Sequence, residues 1–589
     1  MTKSTQPPRR LSRRQWNLAC AATAVLGMTK PCEGAASPAQ QTATQQSRVA
    51  SGTRGVVATV HPIASRAAIQ AFERGGNAID AAAAASVMLS VVDGFNSGIG
   101  GGCLALVRTS SGKVHAIDGR EKAPLSAKPE MFYRDGKPDP SLSQVGPLAA
   151  GVPGLLAALD RLVGTHGKIA WSDALNGAAE VADSGFELDD NYVSRLRSAS
   201  RQLMKFPASA RILLDEQGQP WQKGHRLVQK DLAQTLRSLA EEGIDWFYRG
   251  EFAERTEKFM SSAGGMLTKR DFEAYTAVAR QPVQSNFGTN RVHGFPPPSS
   301  GGIHIAQMLG MLSHFDVKSV FSKSETAGRH LLLEVMKRAM ADRAYWLGDS
   351  DFARVPKGLI DAGYLADRAA SINLEKSIAV ESHGQPPRAD VDLFGNGGHT
   401  THLTTADAEG NVVALTQTVN TTFGCKMIMP GTGVVLNNEL DDFSIAPGVR
   451  NAFGLLGSEA NLIAPGKRPL SSMSPTIVTD PSGAPVLSCG AAGGPKIITT
   501  VLQVLVRCLL LDESIEEALS APRCHHQWSP NKAVCERANK KTIIEELGAM
   551  GHEVSLIGKA AVAQGLSLNG PDQLTAASDP RVPSSAMSL

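Results

Sequence analysis

The sequence of 589 residues lacks the short motifs that identify the commonest hydrolases and nucleotide-binding enzymes. It contains no G-x-S-x-G turn, no G-x-x-x-x-G-K-S/T phosphate loop and no H-E-x-x-H helix. Its eight cysteines include no C-x-x-C pair and do not make a disulfide framework in a chain of this length. These absences argue against an α/β-hydrolase elbow, a P-loop and the common zinc sites.

The chain also lacks a strong net charge. The whole sequence has 59 Lys and Arg against 56 Asp and Glu. Residues 1–36 hold six of the basic and one of the acidic residues, which leaves 53 basic against 55 acidic residues in the remainder. This balance gives no reason to expect a nucleic acid or an anionic membrane as a partner.

The first 36 residues have the pattern of an export signal. Four arginines between residues 9 and 14 precede an apolar run at residues 18–28, which is shorter than the about 20 residues that span a bilayer. Ser-Arg-Arg-Gln-Trp at residues 12–16 resembles a twin-arginine signal, and the alternative is a Sec signal that contains an arginine pair. Small residues at 34–36 offer a cleavage site. We therefore expect a periplasmic or secreted bacterial protein.

The periodicity after the leader predicts a linker and then a layered α+β fold. Residues 37–54 are rich in Ala, Gln, Thr and Ser and predict a linker, so the fold is expected to begin near Gly55. From about residue 153 to 374 the pattern is mostly helical, and after Thr400 it is strand-like. The predicted helices cover residues 64–74, 78–92, 155–164, 227–242, 327–347 and 497–511, and the predicted strands cover 56–60, 402–406, 412–418, 434–436 and 476–479.

Glycine clusters indicate a site built from main-chain groups, because glycine lets the backbone approach a ligand or another backbone closely. One cluster begins the predicted hairpin with Gly397-Gly398-His399-Thr400-Thr401-His402. A threonine hydroxyl needs a base beside it, and a cut before Thr400 would free an α-amine with an unperturbed pKa of about 8. Thr400 is therefore a candidate nucleophile. His399 and His402 have no third ligand nearby in sequence, which favours local hydrogen bonds over zinc.

Seven segments resemble the γ-glutamyltranspeptidase family, in order and at its spacing, over about residues 55–580. They are GGNAIDA at 75–81, DGREKAP at 118–124, PPPSSGG at 296–302, TTH at 400–402, NTTFG at 420–424, LNNELDDF at 436–443 and RPLSSMSPT at 468–476. The resemblance implies a four-layer αββα sandwich of the N-terminal-nucleophile hydrolase type, formed jointly by two chains cut from one precursor. Residues 55–399 would be the large subunit and residues 400–589 the small subunit of a heterodimer.

The resemblance also implies roles for individual residues. The His399–Thr400 bond would be cleaved autocatalytically, and Thr400 would then be the nucleophile. Thr418 resembles the threonine that orients the nucleophile, and Gly493 and Gly494 resemble the pair whose N–H groups form the oxyanion hole.

The other matched residues imply a receptor for an amino-acid zwitterion. Arg120 matches the arginine that binds the α-carboxylate of the substrate, a role that suits a guanidinium fork. Ser471 and Ser472 match two serines that hydrogen-bond the same carboxylate. The residues matching the acceptors around the α-ammonium are Asn420, Glu439 and Asp442.

The implied reaction transfers the γ-glutamyl group of glutathione or a related amide to water, or to an amino acid or peptide. No metal, organic cofactor or nucleic acid is implied. Phe453 stands where many bacterial relatives have a tyrosine over the site, which leaves the acceptor preference open. Two alternatives also remain. A glutaryl-cephalosporin-type acylase would share the fold and nucleophile without needing an ammonium pocket, and an exported binding protein would keep the receptor without catalysis.

Overall fold

The computed structural model describes residues 47–387, 400–446, 448–455, 459–570 and 573–589. The export signal, most of the predicted linker, Gly397-Gly398 and His399 lie outside the described residues. The strands are β1 (Val49–Gly52), β2 (Gly55–Thr59), β3 (Gly102–Arg108), β4 (Val114–Gly119), β5 (Tyr133–Arg134), β6 (Lys137–Pro138), β7 (Phe186–Glu187), β8 (Arg226–Leu227), β9 (Val278–Arg280), β10 (Val283–Phe287), β11 (Asn290–Gly294), β12 (Thr401–Asp407), β13 (Val412–Thr418), β14 (Thr476–Thr479), β15 (Pro485–Ala492), β16 (Cys524–His526), β17 (Ala533–Glu536), β18 (Val554–Ile557), β19 (Val562–Leu568), β20 (Leu574–Ser578) and β21 (Ser585–Ser588).

The helices surround these strands in sequence and in space. They are α1 (Pro62–Glu73), α2 (Ala78–Val92), α3 (Ser141–Gln144), α4 (Leu155–His166), α5 (Trp171–Ser184), α6 (Asp190–Leu203), α7 (Pro207–Leu213), α8 (Lys230–Glu242), α9 (Asp245–Tyr248), α10 (Glu251–Ala263), α11 (Lys269–Glu273), α12 (Gly301–Leu312), α13 (Val317–Lys323), α14 (Glu325–Trp346), α15 (Ala362–Ala370), α16 (Lys496–Leu510), α17 (Ile515–Ser520) and α18 (Lys541–Ala549). Within the described ranges, no helix combines the length and the apolar character that a membrane span requires.

Two seven-stranded sheets form the centre of the molecule. The first sheet has the order β21-β2-β12-β13-β3-β4-β9, and the second has the order β1-β20-β19-β15-β14-β11-β10. Neighbouring strands run antiparallel in both sheets. The first sheet therefore contains strands from both sides of Thr400, because β2, β3, β4 and β9 precede it and β12, β13 and β21 follow it.

The alternation of side chains along each strand explains the layers. In β2, Val56 and Ala58 belong to a core between the two sheets, whereas Val57 belongs to a core under helices. Helices such as α1, α2, α4 and α5 cover the outer face of the first sheet, and α12, α14 and α16 cover the outer face of the second. The predicted four-layer αββα sandwich is confirmed.

Helix α2 shows how the sequence specifies its own local structure. The Asn77 side chain accepts hydrogen bonds from the N–H groups of Ile79 and Asp80, and the Asp80 carboxylate accepts one from the N–H of Asn77. This reciprocal capping box begins the helix at the predicted residue. All of its side chains are buried, as the almost wholly apolar sequence predicts.

Several predicted boundaries were wrong. Part of the predicted linker 37–54 is strand β1, which forms the edge of the second sheet by pairing with β20. The predicted strand 434–436 is only an isolated bridge between Val435 and Ile428, because Gly431 and Gly433 turn the chain just before it. The predicted helix 227–242 starts only at Lys230, and the mostly helical middle also contains β9, β10 and β11. Cys103 and Cys489 are buried, and Cys508 is half-buried.

Candidate active site

Thr400 lies immediately before β12, at the edge where four strands of the first sheet end. Thr401 pairs with Gln417, so the same register carried one residue further places Thr400 opposite Thr418. Its side chain is 2% exposed, and Thr400 Oγ1 has no hydrogen-bond partner among the described residues. The Thr418 hydroxyl accepts a hydrogen bond of 2.7 Å from the Asn420 N–H. The candidate nucleophile is therefore sheltered, while its own hydroxyl remains available.

The same edge of the sheet carries Arg120. Strand β3 begins at Gly102 opposite Thr418, and Gly119 at the end of β4 pairs with Cys103. Arg120 follows Gly119, so its backbone lies about three strand spacings of about 4.8 Å from Thr400. The topology thus brings two residues that are distant in sequence to one edge of the sheet.

A glycine cluster makes this arrangement possible. A Cβ atom added at Gly101 would lie 1.8 Å from the carbonyl oxygen of Thr418, and one at Gly100 would lie 2.1 Å from that of Val435. Neither position has room for a side chain. The close approach of main chains that the glycine clusters predicted is confirmed here.

A cavity of about 310 Å³ opens beside Thr400. Its lining includes Thr400, Thr401, Asp93, Gly493 and Lys496. Gly493 has φ 147° and Gly494 has φ 62°, between the end of β15 and the first residue of α16. The positive end of the α16 dipole lies near these glycines. Gly493 lines the same cavity as Thr400, whereas Gly494 is not part of that lining, and the oxyanion-hole role of the pair stays a prediction.

Arg120 forms a buried ion cluster with the predicted ammonium acceptors. Its side chain is 1% exposed, and its guanidinium donates to the carboxylates of Glu439 and Asp442. A third carboxylate, Glu121, has an oxygen 3.6 Å from Arg120 Nη1. The guanidinium Nε donates to the carbonyl of Pro469 at 3.0 Å. The structure therefore brings together three residues that the sequence placed in one receptor.

The charges in this cluster affect one another. Burial raises the pKa of the Glu121, Glu439 and Asp442 carboxyls above their usual range, and the Arg120 guanidinium opposes that rise. Burial by itself lowers the pKa of Arg120, but Glu439 and Asp442 raise it above its usual value. The cluster contains three carboxyl groups and only one guanidinium. It therefore suits a further cation such as an α-ammonium.

The other predicted receptor residues lie on segments next to this cluster. Ser472 Oγ accepts a hydrogen bond of 3.0 Å from Arg343, and Ser471 Oγ accepts one of 3.0 Å from the Met473 N–H. Asn420 has a positive φ of 73°, and its side-chain amide donates to the carbonyl of Asn438 at 2.8 Å. Asn438 directly precedes Glu439, so Asn420 links the end of β13 to the short acidic segment Glu439–Asp442. The roles of these residues toward a substrate stay predictions.

Sequence reasoning missed several ionisable residues of the site, including Glu121 beside Arg120 and Lys496 in the cavity lining. Arg343 of α14 is 1% exposed, donates to Ser300 Oγ as well as to Ser472, and lies close enough to Asp442 to interact with its charge. Burial lowers the pKa of Arg343 to about 10. Asp93 follows α2, is 3% exposed and accepts a hydrogen bond from the Thr401 hydroxyl. The sequence signal for Asp93 was an acidic residue at the end of an almost wholly apolar helix.

Two histidine groups in the described residues do not require a metal. His402 Nδ1 lies 2.9 Å from Thr416 Oγ1, which is the predicted local hydrogen bond, and His399 lies outside the described residues. A buried cluster of His330, Glu334 and His552 has suitable ligand atoms within 4.8 Å of one another. However, the two histidines bond each other at 2.7 Å, and Glu334 already pairs with two cations, so a divalent ion would add positive charge beside them.

The sandwich, together with the buried threonine at the start of an inner strand of its first sheet, defines a hydrolase of the N-terminal-nucleophile class. The family model described as Gamma-glutamyltranspeptidase matches residues 64–589. The chain is 38% identical over 530 residues to the glutathione hydrolase proenzyme of Escherichia coli (strain K12), covering 90% of each chain. The chain belongs to the γ-glutamyltranspeptidase family.

Acylases are also among the similar proteins. The chain is 35% identical over 524 residues to the acylase ACY 1 proenzyme of Pseudomonas sp. (strain SE83), covering 87% of this chain and 89% of that one. A crystal structure of cephalosporin acylase from Bacillus halodurans superposes with a TM-score of 0.82 at 25% identity, covering 94% of this chain and 99% of that one. The acylases share the fold, so the pocket chemistry has to distinguish the substrates.

We expect Asp93 to change the pKa of the Thr400 α-amine, which is the expected base for the Thr400 hydroxyl. Burial raises the pKa of Asp93 to about 7, and its hydrogen bonds to Thr401 and Asn96 and the charge of Arg195 oppose that rise. A charged Asp93 beside the cavity favours the ammonium form of the Thr400 α-amine and raises the pKa of that amine. In Asp93→Asn the amine should lose its proton at lower pH, so the acidic limb of the kcat/KM profile should move down by about one pH unit.

The matched control is Thr401→Ser, which changes the neighbouring residue but keeps the hydroxyl that bonds to Asp93 and therefore keeps the charge of the carboxyl group. It should show no such downward movement of the acidic limb. Profiles of kcat/KM against pH for the wild type and both variants provide the measurement. An unchanged limb in Asp93→Asn would contradict the electrostatic effect.

Proposed function

We propose that this protein is a γ-glutamyltransferase and glutathione hydrolase. It transfers the γ-glutamyl group of glutathione and related γ-glutamyl amides to water, or to amino acids and peptides. The observation that carries the proposal is the buried cluster of Arg120, Glu439 and Asp442 at the edge of the sheet that carries Thr400. A cation and excess acid suit the carboxylate and the ammonium of one amino acid, whereas a glutaryl group has no ammonium.

The chemistry follows from these positions. Thr400 Oγ attacks the γ-carbonyl, and its α-amine takes the hydroxyl proton. The N–H groups of Gly493 and Gly494 stabilise the oxyanion, and the amine returns the proton to the departing nitrogen. Water or an acceptor amine then attacks the γ-glutamyl-threonine ester, and Thr400 is regenerated. The binding energy of the zwitterion holds the γ-carbonyl in place during both steps.

We further propose that the two products of cleavage stay together as a heterodimer, in which the first product ends at residue 399 and includes β1, and the second covers residues 400–589. The first sheet supports this proposal, because β12 lies between β2 and β13, and β13 pairs with β3. Separating the products would therefore break ladder hydrogen bonds on both sides of the β12–β13 hairpin. A cut at Thr400 leaves all of these pairs intact.

The proposal is tested by incubating the purified protein with glutathione and measuring the products. Free glutamate and cysteinylglycine are expected in the absence of an acceptor, and a new γ-glutamyl peptide is expected when glycylglycine is added. A protein that binds glutathione without releasing cysteinylglycine would instead support the binding-protein alternative.

We also propose that the protein is exported through its N-terminal signal, by the twin-arginine route. The support is the sequence pattern of residues 1–36. Replacing Arg13 and Arg14 together by lysine should leave uncleaved precursor in the cytoplasm, measured by cell fractionation and immunoblotting. The matched control replaces Arg9 and Arg10 by lysine and should be exported normally. Normal export of the Arg13 and Arg14 variant would indicate the Sec route.

A further inference from the structure

Two of the six described cysteines face each other across a pair of strands. In the antiparallel ladder of β16 and β17, Cys524 lies directly opposite Cys535. The Glu536 N–H donates to the carbonyl of Arg523 at 2.9 Å and the Arg523 N–H donates to the Glu536 carboxylate at 2.9 Å, so the backbones of Arg523 and Glu536 point toward each other. Because such pairs alternate along an antiparallel ladder, Cys524 and Cys535 occupy a non-hydrogen-bonded position, where opposite side chains are closest.

This position has the spacing that a disulfide needs. Opposite Cα atoms at non-hydrogen-bonded positions are about 4.5 Å apart, which lies within the range of about 4.4–6.8 Å found for disulfides. Cys524 is 3% exposed and Cys535 is 0% exposed. The two thiols lie close enough for each to affect the pKa of the other.

The surroundings give the two thiols different roles. Arg329 Nη1 lies 3.7 Å from Cys524 Sγ and favours its thiolate. The neighbouring Cys535 thiol and the charge of Arg329 lower the pKa of Cys524 against the effect of burial, whereas the Cys524 thiol and burial raise the pKa of Cys535. Cys524 is thus the sulfur that attacks, and Cys535 is the sulfur that completes the bond.

We propose that Cys524 and Cys535 form an intrachain disulfide by exchange with a small disulfide compound. The Cys524 thiolate attacks one sulfur of that compound, its S–S bond breaks, and one thiol leaves. Cys535 then attacks Cys524 Sγ of the mixed disulfide, and the second thiol leaves. The two cysteines lose two protons and two electrons, and the small disulfide gains both as two thiols. The proposed export would place the pair where disulfides persist.

The disulfide would stabilise the wall of the catalytic cavity. The Gln503 side chain of α16 bonds both the N–H and the carbonyl of Cys524, at 3.1 Å and 2.8 Å. Neighbouring Arg523 donates to the carbonyl of Ala561 at 2.8 Å, and Ala561 lines the cavity beside Gly493. The bond would therefore join β17 to the strand that contacts α16, the helix that follows the predicted oxyanion glycines.

Peptide mapping without reduction tests the proposal. The purified protein is treated with 2-hydroxyethyl disulfide, which has no γ-glutamyl group, then blocked with a thiol reagent, denatured and cut with trypsin. Cys524 and Cys535 fall in separate tryptic peptides, residues 524–532 and 533–537. We expect these peptides to be joined and to be lighter by two hydrogen atoms than their sum. Reduction should separate them.

Variants assign the two roles. Cys535→Ser should stop at a mixed disulfide on Cys524, and Cys524→Ser should leave Cys535 unmodified. The matched control Cys425→Ser changes another buried cysteine and should leave the joined peptides unchanged. Because both thiols are buried, the experiment is repeated on the uncut Thr400→Ala chain, which is refolded from urea in the same reagent. Failure to join the peptides by either route, or joining of either cysteine to another one, would overturn the proposal.

Discussion

Thr400→Ala is expected to remain a single uncut chain and to lose hydrolysis by about 10⁴-fold or more. The same hydroxyl must attack the preceding carbonyl during maturation and the substrate carbonyl during catalysis. In the structure Thr400 Oγ1 is buried without a hydrogen-bond partner among the described residues. Denaturing gels, intact mass and release of product from a γ-glutamyl anilide provide the measurements.

Thr400→Ser is the matched control for this change. It keeps a hydroxyl at the same position, so it should still be cut, although more slowly. Its small fragment should begin at residue 400. If Thr400→Ala is cut between residues 399 and 400, the self-cleavage hypothesis is wrong.

Changes to the ion cluster are expected to have the next largest effect. Arg120→Lys keeps a cation but loses the guanidinium fork, and should reduce kcat/KM for a γ-glutamyl anilide by about 10²-fold or more. Asp442→Asn should reduce it similarly, because it removes a charge from the ammonium side of the receptor. The same Asp442 variant should have little effect on a glutaryl anilide, which lacks the α-ammonium.

The structure explains the choice of lysine rather than alanine at Arg120. Arg120→Ala would leave Glu121, Glu439 and Asp442 buried without their guanidinium, and breaking buried pairs in this way costs about 3–5 kcal/mol of stability. Melting temperatures should therefore accompany the kinetics. The surface pair of Arg134 and Asp139 offers a control, since Arg134→Lys should change neither the melting temperature nor kcat/KM.

Matched γ-glutamyl and glutaryl anilides decide between the transferase and the acylase. If the wild type prefers the glutaryl compound, the site is an acylase pocket and the zwitterion-receptor hypothesis is wrong. Equal losses of kcat/KM for both substrates in Asp442→Asn would also contradict the receptor, because the effect of the Asp442 carboxylate would then not depend on the substrate ammonium.

The parts of the fold that were predictable are those specified locally. Strand β13 and helix α2 have the predicted bounds, because β-branched residues and a capping box determine them over short distances. The edge strand β1 and the short strands β9–β11 were missed, since they are strands only by virtue of partners far away in sequence. The order of layers came from the resemblance rather than from periodicity.

The candidate site divides in the same way. Arg120, Glu439 and Asp442 were identified through motifs, and the structure adds that they contact one another directly. Arg343 could not be found, because its contact with Ser472 joins a helix to a segment 129 residues later. Asp93 was missed for the same reason, since its partner Thr401 is 308 residues away. Such contacts exist only after folding.

The interleaving of strands from both sides of Thr400 has a consequence for the life of the molecule. An intact precursor folds as one chain, at a rate that does not depend on concentration. Once it is cut, the two products of an unfolded molecule must meet again, and that encounter carries an association cost of about 4–15 kcal/mol that the precursor never faces. For the heterodimer that we propose, maturation would therefore be a one-way step, because the peptide bond directs assembly once and a cut molecule that unfolds has lost that connection.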